Sequence, residues 1–168
     1  MSNTELNPID IANNALLREA NYLDDRAWEN WLGLYTDNAT YWVPAWRDEN
    51  NETADPNCEI SQIYHTSRRE LVERAERVTS DKSVTTMPLP RTTHFITNII
   101  ATRDGDKCID VRANCMVQIY QPRTTKQMAN FGYYEYRLKL VESTWLIDFK
   151  KIHLKNDLVP ALIDFYTL

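Results

Sequence analysis

The strongest constraint on the fold is a long alternation of side chains in the second half of the chain. From Cys108 to Tyr120, apolar or small residues occupy every second position, and most of the positions between them are polar. Successive side chains on a β-strand point to opposite faces, so this segment predicts a strand with one dry face. The predicted dry face consists of Ile109, Val111, Ala113, Cys115, Val117 and Ile119.

Four such segments follow one another and predict a meander of long antiparallel strands. Their expected bounds are 92–103, 108–120, 130–141 and 144–154. Asp104-Gly105 is a tight-hairpin signal between the first two.

The last strand changes its apolar phase partway along. Trp145, Ile147 and Phe149 share one phase, and Ile152 and Leu154 take the other. One extra residue shifts the alternation in this way, so the pattern predicts a β-bulge near Lys150-Lys151.

The first half predicts helices that cover this sheet. Asn7-Pro8 is a helix start, with asparagine as the N-cap. Asp24 and Asp25 interrupt the apolar stripe that follows and are interpreted as caps of a second helix. The stripe of the first helix is Ile9, Ala12, Leu16, Ala20 and Leu23, and that of the second is Trp28, Trp31, Leu32 and Tyr35.

Two strands and a third helix are also expected before the meander. The segments 39–45 and 60–64 have strand character, and Ser67 to Glu70 fits a capping box. The helix that follows has Glu and Arg spaced for i, i+4 pairs, at Glu70–Arg74 and Glu73–Arg77. Helices followed by strands, with no linker, predict one α+β domain over residues 1–168.

Composition limits the classes of partner. The net charge of −5 disfavours nucleic acid. The apolar stretches are too short to span a membrane, and the first residues lack a secretory-signal pattern, so we expect a cytoplasmic protein. Cys108 and Cys115 are about 23 Å apart on one predicted strand, so we expect them to be free thiols.

Metal chemistry has little support in the sequence. His65, His94 and His153 are the three histidines, and none lies at a short ligand spacing from another. A Rieske cluster needs two cysteines and two histidines in paired motifs, which this chain does not contain. A site of two histidines and one carboxylate remains open only through tertiary proximity.

Acid–base residues have two interpretations each. His94, at the start of a predicted strand, is either a general base in a cavity or a structural hydrogen-bonding residue, and we favour the second. Asp24 and Asp25 are either catalytic carboxylates or helix caps, and capping is the simpler account. The aromatic cluster either lines a pocket or forms core, which its spacing favours; it comprises Trp28, Trp31, Tyr35, Tyr41, Trp42 and Trp46.

An ordered set of residues resembles one family nearly end to end. The chain resembles the small (β) subunit of aromatic-ring-hydroxylating dioxygenases, closest to the benzoate and anthranilate type. The residues that carry this resemblance are Tyr22-Leu-Asp-Asp25 with Trp28 and Trp31, Tyr41-Trp-Val-Pro-Ala-Trp46, Asp55-Pro56, Glu59-Ile-Ser61, Ile63-Tyr64, Arg68, Leu71, Arg74, Arg77, Pro90-Arg-Thr92, His94, Asn98, Leu154-Lys-Asn-Asp157 and Asp164-Phe-Tyr166.

The resemblance implies a fold and a division of labour. The fold is the cone of nuclear transport factor 2 (NTF2), a long, strongly bent, mostly antiparallel sheet with the N-terminal helices on its concave face. The family's small subunit holds no catalytic residue, cofactor or metal. The large (α) subunit holds the [2Fe–2S] Rieske cluster and the mononuclear Fe(II), commonly in an α3β3 hexamer. Electrons come from NADH through a reductase component, and the holoenzyme dihydroxylates an aromatic ring.

Within this interpretation the chain is a structural subunit. Contact with neighbouring subunits is expected from exposed aromatic residues and from the apolar tail 158–168. Candidate interface residues are Tyr64, Arg68, Arg91, His94 and Asp157. An aromatic carboxylate such as anthranilate or benzoate is the expected substrate class on resemblance alone.

The competing hypothesis is a stand-alone cone-fold dehydratase or isomerase. Its acid–base groups would be Tyr22, Asp24 or Asp25, Tyr41 and His94, with Asp25 the preferred carboxylate. The two hypotheses differ in the interior of the cone, since bulky side chains there exclude the enzyme and an open polar pocket supports it. A binding module without chemistry is a third class.

Overall fold

The computed structural model describes residues 7–80, 88–156 and 163–168. Within these ranges the chain forms three α-helices, six strands and a short 3-10 helix. The helices are α1 (Pro8–Asp24), α2 (Trp28–Leu32) and α3 (Arg68–Thr79), and the 3-10 helix is Phe165–Thr167. The strands are β1 (Tyr35–Pro44), β2 (Ser61–His65), β3 (Arg91–Asp104), β4 (Cys108–Gln121), β5 (Lys126–Val141) and β6 (Thr144–Leu154).

All six strands form one sheet in the order β2-β1-β6-β5-β4-β3. Every neighbouring pair is antiparallel except β1 and β6, which run parallel. The predicted meander of β3 to β6 is therefore confirmed, and β2 and β3 are the two edge strands of the sheet. In β4 the predicted dry face is buried throughout. We call the face that packs on the helices the inner face and the opposite one the outer face.

The helices bury their apolar sides on the inner face. Asn7 caps α1 as predicted, because its side chain accepts a hydrogen bond from the amide of Ile9. At the other end Arg26, at a φ of 57°, donates to the main-chain oxygens of Leu89 and Pro90. This contact ties the end of α1 to the start of β3.

The β-bulge in β6 lies two residues before its predicted position. Arg137 pairs with Phe149 and Leu138 pairs with Ile147, so Asp148 is the extra residue. Phe149 therefore turns to the outer face and Lys150 to the inner face, where it is 1% exposed. The sequence pattern placed the bulge too late because it assigned Phe149 to the core.

β5 and β6 also approach each other closely where Gly132 pairs with Leu154, at the end of β6. A Cβ on Gly132 would lie 1.9 Å from the carbonyl oxygen of His153. Only glycine fits there without moving β5 away from β6.

Three other expectations are corrected. Asp25 ends α1, and the N-cap of α2 is Ala27, which makes no side-chain capping bond. Arg74 of α3 does not form the predicted pair with Glu70 but binds Asp164 at 2.6 Å. The final residues pack into the core of this chain, where Phe165 stacks on Trp31 with the ring centroids 4.5 Å apart, so residues 163–168 do not form an exposed tail.

Candidate functional site

The inner face of the sheet holds a buried carboxylate. Glu19 lies on the apolar side of α1 and is 2% exposed. Its Oε1 accepts from Lys150 Nζ at 3.0 Å, from Trp31 Nε1 at 3.4 Å and from the hydroxyl of Tyr35. Its Oε2 accepts from the hydroxyl of Tyr136 at 2.7 Å. Four donors on one carboxylate make it an anion that the protein solvates from within.

Lys150 is enclosed by aromatic rings as well as by its carboxylate. Its Nζ lies 4.5 Å from the ring centroid of Tyr134, 5.3 Å from that of Tyr136 and 5.5 Å from that of Tyr41. Rings at these distances attract a cation through their faces. We call Glu19, Lys150 and Trp31, with Tyr35, Tyr41, Tyr134 and Tyr136, the inner network.

The surroundings keep Glu19 in its charged form. Burial acts to raise the pKa of Glu19, but Lys150 and the hydroxyls of Tyr35 and Tyr136 outweigh it and leave that pKa below its ordinary value. Burial, with the charge of Glu19, raises the pKa of Tyr35 and Tyr136 well above the ordinary value. The tyrosines therefore remain neutral hydrogen-bond donors.

A second polar group joins the end of α1 to β3. The Oδ1 of Asp24 lies 2.6 Å from His94 Nδ1 and accepts from Thr92 Oγ1 at 3.0 Å. Its Oδ2 accepts from the main-chain amide of His94 at 2.9 Å. The other ring nitrogen, His94 Nε2, lies 3.1 Å from the main-chain oxygen of Leu168.

Burial raises the pKa of Asp24, but the hydrogen bonds from His94 and Thr92 outweigh it, so the net pKa is lowered. The side chain of His94 is 1% exposed, and both of its nitrogens have partners. The histidine is thus a structural hydrogen-bonding residue, as we favoured. The capping role expected of Asp24 is wrong, because its carboxylate binds β3.

Of the residues of the dehydratase hypothesis, the structure brings Asp24 and His94 into contact and places Asp25 and Tyr22 outside that pair. Asp24, not Asp25, contacts His94, and Asp25 is exposed. The hydroxyl of Tyr22 accepts from Arg18 at 3.1 Å on the surface of α1. Bulky side chains occupy the space between helices and sheet within the described ranges, among them Trp31, Tyr35, Tyr41 and Tyr134.

The candidate interface residues are spread over the molecule. Tyr64 is half-buried on the edge strand β2, and Arg68 pairs with Asp37. Arg91 starts the opposite edge strand, is exposed, and lies over the ring of Tyr120. His94 faces inward, and Asp157 lies outside the described residues. A role of these residues in subunit contact stays a prediction.

Sequence reasoning missed the inner network. Glu19 was detectable, because it is a charged residue on the apolar stripe of α1 between Leu16 and Leu23. Its partner Lys150 was not detectable, because the face of the sheet on which the Lys150 side chain lies depends on the position of the bulge in β6.

Two of the three histidines use both ring nitrogens in contacts within the chain. His153 Nδ1 lies 2.6 Å from Glu52 and its Nε2 lies 3.0 Å from Glu135, so both nitrogens are engaged, as in His94. In the part of the chain that the structure describes, no group of three or more His, Cys, Asp and Glu side chains is placed to hold a metal ion. None of the helices there has the length and apolarity to cross a bilayer.

Known proteins give a consistent comparison. A family model described as "Ring hydroxylating beta subunit" matches residues 18–161. The β subunit of toluate 1,2-dioxygenase from Pseudomonas putida is 38% identical over 151 residues, which are 90% of this chain and 92% of that protein. The β subunit of benzoate 1,2-dioxygenase from Acinetobacter baylyi is 38% identical over 152 residues, 90% of this chain and 88% of that protein.

A solved structure extends the comparison to the fold. The crystal structure of the β subunit of benzoate 1,2-dioxygenase from Burkholderia mallei has a TM-score of 0.78 and 32% identity. The match covers 97% of this chain and 100% of that one. The expected NTF2-like α+β fold is confirmed.

Proposed function

Because this chain belongs to the family of ring-hydroxylating β subunits, we propose that it is the non-catalytic small subunit of a Rieske-type dioxygenase that acts on an aromatic carboxylate. The observation that carries the proposal is the match, over 90% of the chain, to the β subunits of a toluate and a benzoate dioxygenase. Both relatives are named for aromatic carboxylates, which supports that substrate class.

The proposal assigns the redox chemistry to a large (α) subunit. That subunit holds the [2Fe–2S] cluster and the mononuclear Fe(II), which supply electron transfer and oxygen activation when bound. A reductase delivers electrons from NADH, and three copies of each subunit form the hexamer. The donor set of this chain supports the division, because the nitrogens of His94 and His153 are already engaged by carboxylates and a main-chain oxygen.

The chain's own residues then serve to hold a rigid shape. The inner network fixes α1 on the sheet through Glu19 and Lys150, and Asp24 fixes the end of α1 on β3. A subunit that positions catalytic partners needs such a fixed frame more than it needs an open pocket.

One observation favours the dehydratase hypothesis. A carboxylate beside an imidazole, as in Asp24 and His94, is the arrangement of an oriented general base. Such a base needs one ring nitrogen open to the substrate. In His94 that nitrogen, Nε2, contacts the main-chain oxygen of Leu168, and the imidazole is buried. We therefore keep this function as the second candidate.

Purification of the tagged chain from its native host tests the proposal. We expect an iron-containing large subunit to co-purify, and the assembly, with reductase, NADH and O₂, to oxidise benzoate or a substituted benzoate. The chain expressed alone is expected to bind no iron and turn over no substrate. Turnover or iron in the isolated chain, or no large subunit in the assembly, contradicts the proposal.

The His94→Gln variant separates the two functions. As a structural residue, His94 affects how much assembly forms but not the turnover per iron atom of the assembly. As a general base, its replacement abolishes the activity of a dehydratase while the fold remains. Asp25→Asn is the matched control, since Asp25 is exposed and contacts neither His94 nor Thr92.

A further inference from the structure

One histidine near the end of β6 has a carboxylate at each of its two ring nitrogens. His153 Nδ1 lies 2.6 Å from Glu52 Oε2, and its Nε2 lies 3.0 Å from Glu135 Oε2. The side chain of His153 is 7% exposed, so solvent has little access to the ring. An ionised carboxylate can only accept, so both contacts are hydrogen bonds only when both nitrogens carry hydrogen. The arrangement therefore fits the charged form of the imidazole.

The two carboxylates come from different parts of the chain and differ in their surroundings. Glu135 lies on β5 and is 44% exposed, and its Oε1 lies 4.0 Å from Arg112 Nη1. Glu52 is 17% exposed and lies in the segment 45–60, which we call the β1–β2 loop. Its side chain binds His153. Glu52 therefore depends on the imidazole more than Glu135 does.

The β1–β2 loop is attached to β6 at two neighbouring residues. Trp46 Nε1 donates to the main-chain oxygen of Leu154 at 3.1 Å, and Glu52 contacts His153. Trp46 and Glu52 also form an antiparallel β-bridge with each other, so the two contacts hold one unit of the loop. An indole bound to a main-chain oxygen has no group that titrates near neutral pH. A change in pH near neutrality therefore acts on the second attachment alone.

Other charged and titratable groups surround this imidazole. The ring stacks on Tyr133, with the centroids 4.2 Å apart and the planes at 11°. Burial and the charges of Glu135 and Glu52 raise the pKa of Tyr133, so that phenol stays neutral while an imidazole titrates. The neighbouring cations are Arg112 and Lys155, which lie over the Tyr133 ring, and Lys151, which pairs with Glu135 in the β5–β6 register.

We propose that protonation of His153 strengthens the attachment of the β1–β2 loop to β6, so that the loop is held more firmly below the titration of the imidazole than above it. An imidazole changes its charge between about pH 5 and 8. In the charged form both nitrogens donate, and a hydrogen bond between charged groups is about twice as strong as one between neutral groups. This property belongs to the chain itself and goes beyond the proposed function.

The sign follows from the hydrogen that remains after deprotonation. A neutral imidazole has one N–H, so one of the two carboxylates then faces a lone pair. Glu135 is the more exposed carboxylate and can turn into solvent, so the remaining hydrogen stays on Nδ1 and binds Glu52. The β1–β2 loop is then held by a bond from a neutral donor. Its attachment weakens as the pH rises, but it is not lost.

Amide hydrogen exchange in residues 45–60 tests this prediction. The full chain is compared with Glu52→Gln at each pH from about 5 to about 9, which spans the imidazole range. The ratio of the two rates at one pH removes the chemical dependence of exchange on pH. An uncharged amide at position 52 accepts from Nδ1 in either form of the ring, so the charge of the ring matters less to the variant. We expect the rate in the wild type, relative to Glu52→Gln, to rise about fivefold across this range.

Glu49→Gln is the matched control. Glu49 is an exposed glutamate of the same loop, whereas the carboxylate at His153 Nδ1 is that of Glu52. Its exchange should follow that of the wild type at every pH. His65 and His94 are present in all three chains, so their titration does not cause a difference between Glu52→Gln and the wild type.

Nitrogen-15 NMR of the imidazole rings measures the charge of His153 directly. A charged ring has two similar nitrogen shifts and a neutral ring has two different ones, and the His153 signals are those that change in Glu52→Gln. We expect the ring to lose its charge at the midpoint of the exchange profile. The proposal is overturned by an exchange ratio independent of pH, by a Glu49→Gln chain that behaves as Glu52→Gln, or by a His153 ring that keeps one charge state throughout.

Discussion

The two faces of the sheet carry ion pairs in opposite surroundings. On the inner face Glu19 and Lys150 are 2% and 1% exposed and lie 3.0 Å apart. On the outer face Arg137 and Asp110 lie 2.8 Å apart, with 44% and 50% of their side chains exposed. The same kind of ion pair thus occurs buried on one face of the sheet and exposed to solvent on the other.

The difference shows what each face does for the molecule. Two charges removed from water lose their hydration, so the inner pair is useful only while both partners and their hydrogen-bond donors are present. It therefore fixes one arrangement of α1 on the sheet. The outer pair keeps much of its hydration and contributes little to the arrangement of the strands.

Glu19→Gln is expected to have the largest effect. It leaves the ammonium of Lys150 buried without a counter-charge, and removal of one partner of a buried pair costs about 3–5 kcal/mol of unfolding free energy. Urea denaturation followed by tryptophan fluorescence measures this loss.

The control is Glu19→Gln combined with Lys150→Met. Removal of both charges recovers most of the lost stability, because a buried pair replaced by neutral side chains is often close to neutral. A single variant as stable as the wild type, or a double variant no better than the single one, contradicts the proposed role of the pair.

Asp24→Asn ranks second. The amide cannot accept from the His94 main chain, the His94 ring and Thr92 as the carboxylate does, so a buried donor loses its partner. The expected loss is about 1–3 kcal/mol, measured by thermal unfolding. Asp25→Asn, one residue away and exposed, is expected to be neutral; equal effects of the two variants would mean that the contact with β3 is not important.

Some of these features follow from local sequence and others do not. The alternation of β4, the N-cap Asn7 and the four-strand meander were predicted correctly, because period and capping are set by neighbouring residues. The role of Asp24 was not, because two aspartates after a helical stripe resemble caps, and the residue that binds Asp24 is His94 of β3, about seventy residues later.

The bulge in β6 is a second feature that local sequence does not determine. A phase change in β6 was visible in the sequence, but its position depends on whether Phe149 or Lys150 points inward. Hydrophobicity favoured Phe149, and a buried carboxylate on α1 reversed that preference by pairing with Lys150. Only the tertiary partner 131 residues away decides the choice.

A decrease in pH is expected to have the third-largest effect, through the loss of stability that the carboxylates of the inner face provide. The pKa values of Glu19 and Asp24 are lowered by folding, so their contribution is present above the ordinary carboxyl pKa near 4 and is lost as the pH falls through the folded values. Wild-type stability should therefore decrease as the pH is lowered from 7 to 3. Glu19→Gln should lose less over that range, since it lacks the Glu19 share; parallel profiles would contradict the assignment.

Asp110→Asn on the outer face is expected to have the smallest effect on folding. Arg137 keeps its contact with Asp104 and stays in water, so the loss is about 0–1 kcal/mol and shrinks further in 1 M NaCl. The loss caused by Glu19→Gln should change little with salt, because solvent ions do not reach a pair that is 2% and 1% exposed. Urea denaturation of both variants at low and high salt makes the comparison. A salt-sensitive inner pair, or an outer variant that loses as much stability as Glu19→Gln, would show that the two faces do not differ as their exposures indicate.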